Sequence, residues 1–337
     1  MPAGRPAYLG GMNEALEVKL VGGGTASVSR ATALGLVGAA ALASANGAGA
    51  QTTATIRICA FNVDSYAEPF YALDQGFLAK AGIALELIYL PNAGGIAQAA
   101  SANVIDIGMC DPLQVANPFL AGIGLAFFGG SALYTSEAPT TLLVVDKNSA
   151  IRSAKDLEGQ TIAVVALASI SSLAVREWLQ DNGADQSKVK IVELPFAAMV
   201  AALGRGTIAG ALLAEPFLSA GRADVRVLAK AFDAIAKSFY ISSFFATRDY
   251  LTKNRDLARR FLGVMYDTAR WANVHHAESA PILAKYSKLE LERIGAMTRI
   301  SYGTSFDAAR IQPVLDIAYK YKQLEKPVNA KDIIVTI

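Results

Sequence analysis

The stretch TIAVVALASISSLAVREWL, residues 161–179, decides how the chain is read. Its opening run is rich in β-branched residues and favours an extended strand. Further on, Ile170, Ala174 and Trp178 recur every four residues, the spacing of one buried helix face. Between them lies a turn of small residues with Ser169, Ser171 and Ser172 close together. One serine is enough to cap a helix, so three are more than a cap needs. The turn has no Lys, His or Cys and no glycine pattern for a nucleotide. It reads as a place that holds a guest with hydroxyls and the free N–H groups of a helix start, without reacting with it.

The same strand–turn–helix unit recurs outward from this point. Strands are expected at 55–61, 83–90, 104–110, 140–145, 188–194, 208–214 and 225–230, and one starts at 240. Helices are expected at 69–82, from the PNAGG turn to Ala100, after Asp111-Pro112, and from Phe196 to Gly204 or Gly206. Gly82 and Asn182-Gly183 have the character of helix stops. From Asn254 onward the pattern is helical. Alternation of this kind predicts parallel sheets covered on both faces, in two sets that meet near residue 142. Ligands of such sheets bind at the carboxyl ends of strands. The turns after 55–61, 104–110, 161–167 and 208–214 are therefore the candidate site.

Composition narrows the function. The chain is 53% hydrophobic and 18% charged, which places it among globular proteins. A formal net charge of +2 with no Lys/Arg cluster disfavours nucleic-acid binding. Arg30 precedes the uncharged run ATALGLVGAAALASANGAGA, which ends in Ala48-Gly49-Ala50. A basic residue, a short apolar core and a small-x-small end predict an export signal over residues 1–50, with Met12 as an alternative start. The uncharged run Pro112–Ser136 is broken by Pro118, Gly122, Gly124, Gly129 and Gly130, so it reads as buried helix, turn and strand, not a membrane span. Cys59 and Cys110 lie in apolar strand contexts without metal-ligand spacing. They are expected either to pair after export or to stay as buried thiols.

Tests for an enzyme return little. ASISS lacks the G-x-S-x-G elbow of a serine nucleophile. His275 and His276 fall in a polar part of a late helical segment, as an exposed pair would. Asp64, Asp111 and Glu215 each follow a strand, where a carboxylate can do acid–base work. Asp111-Pro112 and Glu215-Pro216 equally suit helix starts. No catalytic residue, cofactor or metal is expected.

Several stretches taken in order carry a family resemblance: YALDQGFLAKAGIALELIYL, the NAGG turn, VIDIGMCDPLQ, SAKDLEGQTIAVVALASISSLAVREWL, ELPFAAMVAALGRG, ALLAEPF and FFATRDYLTKNRDLARRFL. From Thr53 onward the chain resembles the solute-binding proteins of ABC importers in the nitrate/sulfonate/taurine group, which includes binders of thiamine pyrimidine precursors. One departure is Ala209, in Gly206-Thr207-Ile208-Ala209-Gly210, where the family usually has an acid. The active-site histidine and cysteine-rich segment of the family's pyrimidine-making enzyme have no counterpart.

The resemblance implies an α/β, two-lobed periplasmic-binding-protein type II fold, with mostly parallel sheets flanked by helices. Lobe one would hold 53–141 plus 243–337 and lobe two 142–242. Hinge crossings would lie near Thr140-Thr141 and Ser238–Ser243. It also implies a periplasmic monomer that captures a small organic ligand by hinge closure and delivers it to an ABC permease and its ATPase. A periplasmic sensor or a secreted enzyme would be the alternatives. The expected ligand residues are Asn62, Asp64, Tyr66, Gly94, Gly95, Asp111 and Gln114 from lobe one. Lobe two would add Ser169, Ser171, Ser172 and Glu215, with Tyr240 near the hinge. Gly94-Gly95 would let backbone approach the ligand, and Tyr66 and Tyr240 would stack on a ring or simply pack. The set holds carboxylates and no Arg or Lys, which suits an N–H donor such as an aminopyrimidine better than a sulfonate or nitrate. The acids could instead be caps, or pair with Arg57 or Arg152.

Overall fold

The computed structural model describes residues 53–90 and 95–337. The expected export signal and Gly94 lie outside the described residues. Strands and helices alternate as expected in two α/β halves. In the first half, β1 (Ala54–Ala60) and β2 (Ile83–Tyr89) pair in parallel. A parallel bridge from Ile58 to Ile107 leads on to β3 (Gly108–Cys110). β4 (Leu125–Gly130) and β5 (Ala132–Thr135) follow. The second half is one five-stranded sheet: β6 (Thr141–Asp146), β7 (Thr161–Val164), β8 (Lys190–Glu193), β9 (Gly210–Ala214) and β10 (Val225–Ala229), in the order β10-β6-β9-β7-β8. The chain then returns. β11 (Ser238–Tyr240) and β13 (Ser301–Tyr302) flank β5, and β12 (Ser243–Thr247) sits between β3 and β4.

The sheets are less parallel than the alternation suggests. β7 pairs in parallel with β8 and β9, but β6 is antiparallel to both β9 and β10, and β11 and β12 are antiparallel to their neighbours. These are the strands next to the crossings. A strand that arrives from the other half has no helical crossover to set it parallel. The return pairs Ser238 with Thr135, at the start of the expected crossing Ser238–Ser243.

Local chemistry explains the other differences. The helix expected over 69–82 is two pieces, Glu68–Asp74 and Phe77–Lys80, because Gly76 adopts φ +68° and turns the chain. Pro112–Ser136 resolves into the helix Pro112–Leu120, a turn, β4 and β5. No helix among the described residues is long and apolar enough to cross a membrane. Cys59 and Cys110 are both free and buried. Cys59 Sγ accepts the Met109 N–H at 3.2 Å, and burial pushes its thiol up to about 12.

The main apolar core runs through both halves, from Ile56 and Phe244 to Leu143 and Leu173. A separate cluster around Met199 and Leu213 belongs to the five-stranded sheet. Gly130 and Gly303 make room for the Tyr240 ring: a Cβ on Gly130 would lie 2.5 Å from it, and one on Gly303 3.0 Å. Gly130→Ala is therefore expected to cost about 1–3 kcal/mol by overpacking. A fall in the thermal midpoint checks it, and an unchanged midpoint would show that the ring moves freely.

Candidate functional site

A cleft lies where both halves turn their strand ends toward each other. Phe61, Val63, Ser65 and Tyr66 enter it from the exit of β1, and Asp111 from the exit of β3. Ala166, Ser169, Ile170 and Ser171 enter from the exit of β7, and Ala214 from the end of β9. Three of the four candidate turns thus contribute, and the fourth strand reaches the cleft with its last residue, Ala214, alone. Thr141 and Ile241, at the two crossings, complete the floor, and Phe196 and Phe232 add aromatic wall. The cavity volume is ≈ 70 Å³, well below the roughly 300–1,000 Å³ of a site holding a drug-sized ligand. A ring-sized guest would need the walls to part.

Asp111 is the cleft's only charged lining residue among those described. It caps the helix Pro112–Leu120: its Oδ1 accepts the Leu113 N–H at 3.0 Å, and its Oδ2 accepts from Gln114 Nε2 at 3.4 Å. The N–H of Ile170, first residue of the helix Ile170–Asp181, is also directed at it. One carboxylate therefore sits between helix starts from both halves. It is 5% exposed, and burial raises it from the ordinary 3.8 to about 7, against the pull of these donors. Beside it the Gln114 Oε1 is buried with no hydrogen-bond partner, because the amide's N–H₂ end is turned to Asp111. The floor of the cleft is thus rich in acceptors.

The serines divide. Ser169 is the cap of the helix Ile170–Asp181; its Oγ accepts the Ser171 N–H at 3.2 Å and donates to the Ala166 carbonyl at 2.8 Å. Ser171 lines the cleft. Ser172 faces elsewhere: its Oγ donates to the Leu167 carbonyl and accepts from Gln323 Nε2 at 3.0 Å.

Other expected ligand residues are placed away from the cleft. Asp64 is 1% exposed and satisfied inside the protein. It accepts from the Ile300 N–H at 2.7 Å, the Tyr71 hydroxyl at 3.1 Å and Arg299 Nε at 3.4 Å. Its cation is Arg299; Arg57 pairs with Asp106, and Arg152 bonds the Ser149 and Ile151 carbonyls. Glu215 accepts from Ser219 N and Oγ at 3.0 and 2.8 Å, in a separate recess with Arg222 and Thr298. Tyr240 is core, its hydroxyl donating to the Ser305 carbonyl at 2.8 Å and its ring 5.4 Å from Phe306. Asn62 is exposed and outside the cleft lining. Gly95 starts the helix Ile96–Ser101. Tyr66, Asp111, Gln114, Ser169 and Ser171 are the expected residues that the fold brings together.

The histidines stay apart from this site. His275 is half-buried and stacked on Trp271, with Nδ1 2.8 Å from the Trp271 carbonyl, and His276 is exposed. No cluster of three or more metal-ligating side chains occurs among the described residues. Ala209 directly precedes β9, at the end opposite Ala214 and the cleft.

Two α/β halves with a cleft at their strand ends form a fold that solved periplasmic binding proteins share. A family model described as NMT1/THI5 like matches residues 64–279, and the chain belongs to that family. Three solved structures illustrate the shared fold. The alkanesulfonate-binding protein SsuA from Xanthomonas axonopodis pv. citri bound to MOPS is 20% identical, with a TM-score of 0.71 over 85% of this chain and 99% of that one. The periplasmic nitrate-binding protein NrtA from Synechocystis PCC 6803 is 14% identical, with a TM-score of 0.70 over 84% and 85%. The desulfurization enzyme DSZB is 14% identical, with a TM-score of 0.64 over 84% and 96%. Identities this low speak to fold alone, and the fold serves binders and an enzyme alike. Comparison with curated proteins finds no matching sequence.

Proposed function

We propose that this chain is the exported solute-binding component of an ABC importer, and that it captures its ligand by closure of two lobes. Lobe one would be 53–141 with 243–337, and lobe two 142–242. The ligand would touch Tyr66, Asp111 and Gln114 on one side and the Ser169–Ser171 turn on the other. A shift from mostly open to mostly closed needs roughly 5 kcal/mol of differential binding. Neutral hydrogen bonds at about 1 kcal/mol each, together with one aromatic contact, are of that order. Nothing in such capture calls for a nucleophile, and among the described residues the cleft lining holds no Cys, His or Lys.

The observation that carries the ligand class is the acceptor pair at the floor. The Asp111 carboxylate and the unpartnered Gln114 Oε1 both call for donors, and among the described residues the lining offers no Arg or Lys for an oxyanion. Phe61, Tyr66, Phe196 and Phe232 supply ring faces and edges. These features favour a small, flat, N–H-bearing molecule, neutral or cationic, of which an aminopyrimidine is the model. In a thermal-shift screen an aminopyrimidine at 100 times its Kd should add about 2.7 kcal/mol to the stability of the protein. Stabilisation by taurine or an alkanesulfonate, with none by aminopyrimidines, would overturn the ligand class.

A further inference from the structure

The last helix, Gln312–Lys320, lies in the part of the chain assigned above to lobe one, yet it holds on to lobe two. Its body packs against both Pro112–Leu120 and Ile170–Asp181. Lys320 Nζ donates to both oxygens of Glu177 at 2.7 Å, and Glu177 is 9% exposed. The Tyr321 hydroxyl donates to Gln180 Oε1 at 2.8 Å. Gln323 Nε2 donates to Ser172 Oγ at 3.0 Å and to the Leu167 carbonyl at 3.3 Å. On its other side this segment is anchored to the first half. Gln312 accepts the Ala330 N–H at 2.8 Å, and the Val335 N–H reaches the Phe127 carbonyl of β4 at 2.8 Å.

None of Lys320, Tyr321 or Gln323 lines the cleft. All of them bond the helix that begins with the ligand turn, or the turn itself. We infer that the end of the last helix is a tether between the halves: Gln323 and Lys320 position the Leu167–Ser172 turn and the helix behind it, and favour the closed arrangement before any ligand binds. The two crossing segments are then joined by a third connection along the flank of the cleft. Lys320 is about two-fifths exposed, so the pair's attraction is screened. Glu177 is not, and a buried carboxylate stripped of its cation is the costly state. Opening must therefore rehydrate Glu177 or carry Lys320 along with it.

This inference rests on the hinge-closure reading, and its test is run without ligand so that the two can fail separately. Spin labels on Lys190→Cys in lobe two and Asp256→Cys in lobe one report the distance between halves; both sites are exposed, and the native thiols are buried. Lys320→Glu should lengthen and broaden the ligand-free distance distribution. The charge swap Lys320→Glu with Glu177→Lys, or the conservative Lys320→Arg, should return it to the wild-type profile. An unchanged distribution in Lys320→Glu, or a lengthened profile that appears in Lys320→Arg and in the swap as well, overturns the tether. If Lys320→Glu does not fold, Gln323→Ala takes its place: lengthening supports the tether and an unchanged profile overturns it. In Lys320→Glu, a lengthened distance that a saturating aminopyrimidine fails to shorten counts against hinge capture of that ligand and leaves the ligand-free comparison intact.

Discussion

Asp111→Asn is expected to make the ligand-free protein more stable at pH 8 and a poorer binder at the same pH. The unfolded carboxyl loses its proton near 3.8, and the folded one near 7, because it is buried. Between those values the folded state keeps a proton that the unfolded state has released, so this group makes stability fall as pH rises through the window. Above about 7 the full cost is present. At about 1.4 kcal/mol per pH unit it amounts to about 4 kcal/mol at most. Asn caps a helix as well as Asp does, so the Leu113 bond has a substitute acceptor. The gain should shrink as pH is lowered toward 4, where little of the ionisation difference is left. Urea unfolding at pH 8 and pH 4 checks this, and an equal effect at both would remove ionisation as its cause. Binding should move the other way. A hydrogen bond from ligand to carboxylate contributes about 1.5–3 kcal/mol, so affinity should drop roughly 10- to 100-fold at pH 8. Wild-type affinity in the Asn variant would take Asp111 out of the site.

The second large effect is expected away from the cleft. Asp64→Ala should lower stability by about 3–5 kcal/mol, because it leaves the Arg299 guanidinium, 7% exposed, without its carboxylate. The Ile300 N–H would lose its acceptor as well. Arg299 would keep Tyr71 and Ser279 as hydrogen-bond partners, at 2.7 and 3.1 Å, but neither carries the opposite charge. The urea midpoint should fall with little change in slope. A loss under about 1 kcal/mol would mean that water reaches Arg299 more easily than its burial suggests.

These two carboxylates show where reading from sequence succeeds and where it stops. Asp111 and Ser169 were legible because capping is local: the acceptor and the N–H it serves lie two residues apart. The strand–helix alternation and the stop at Gly183 were legible for the same reason. Asp64 looked equally local, yet its partner stands 235 residues away at Arg299, and no spacing rule reaches that far. Tyr240 was read as a ring near the hinge, but its place was decided by Gly130 and Gly303, which open the hole it fills. Phe196 obeys the strand-exit rule, since it follows β8, and the rule applied to that strand would have found it. Phe232 and Ile241 reach the cleft from the returning chain, outside any parallel strand exit. β13 is two residues long, too short to carry a period.

The way the chain returns also bears on the order of assembly during synthesis. β6 to β10 come from one stretch, 141–229, and can pair as soon as it has been made. β4 and β5 cannot complete their pairings until Tyr302 and Val335 are available. A nascent polypeptide therefore leaves the ribosome with β3, β4 and β5 still missing partners, and long-range pairing of this kind is slow. The five-stranded half can thus settle early, while β3, β4 and β5 wait for the returning strands to close their sheets.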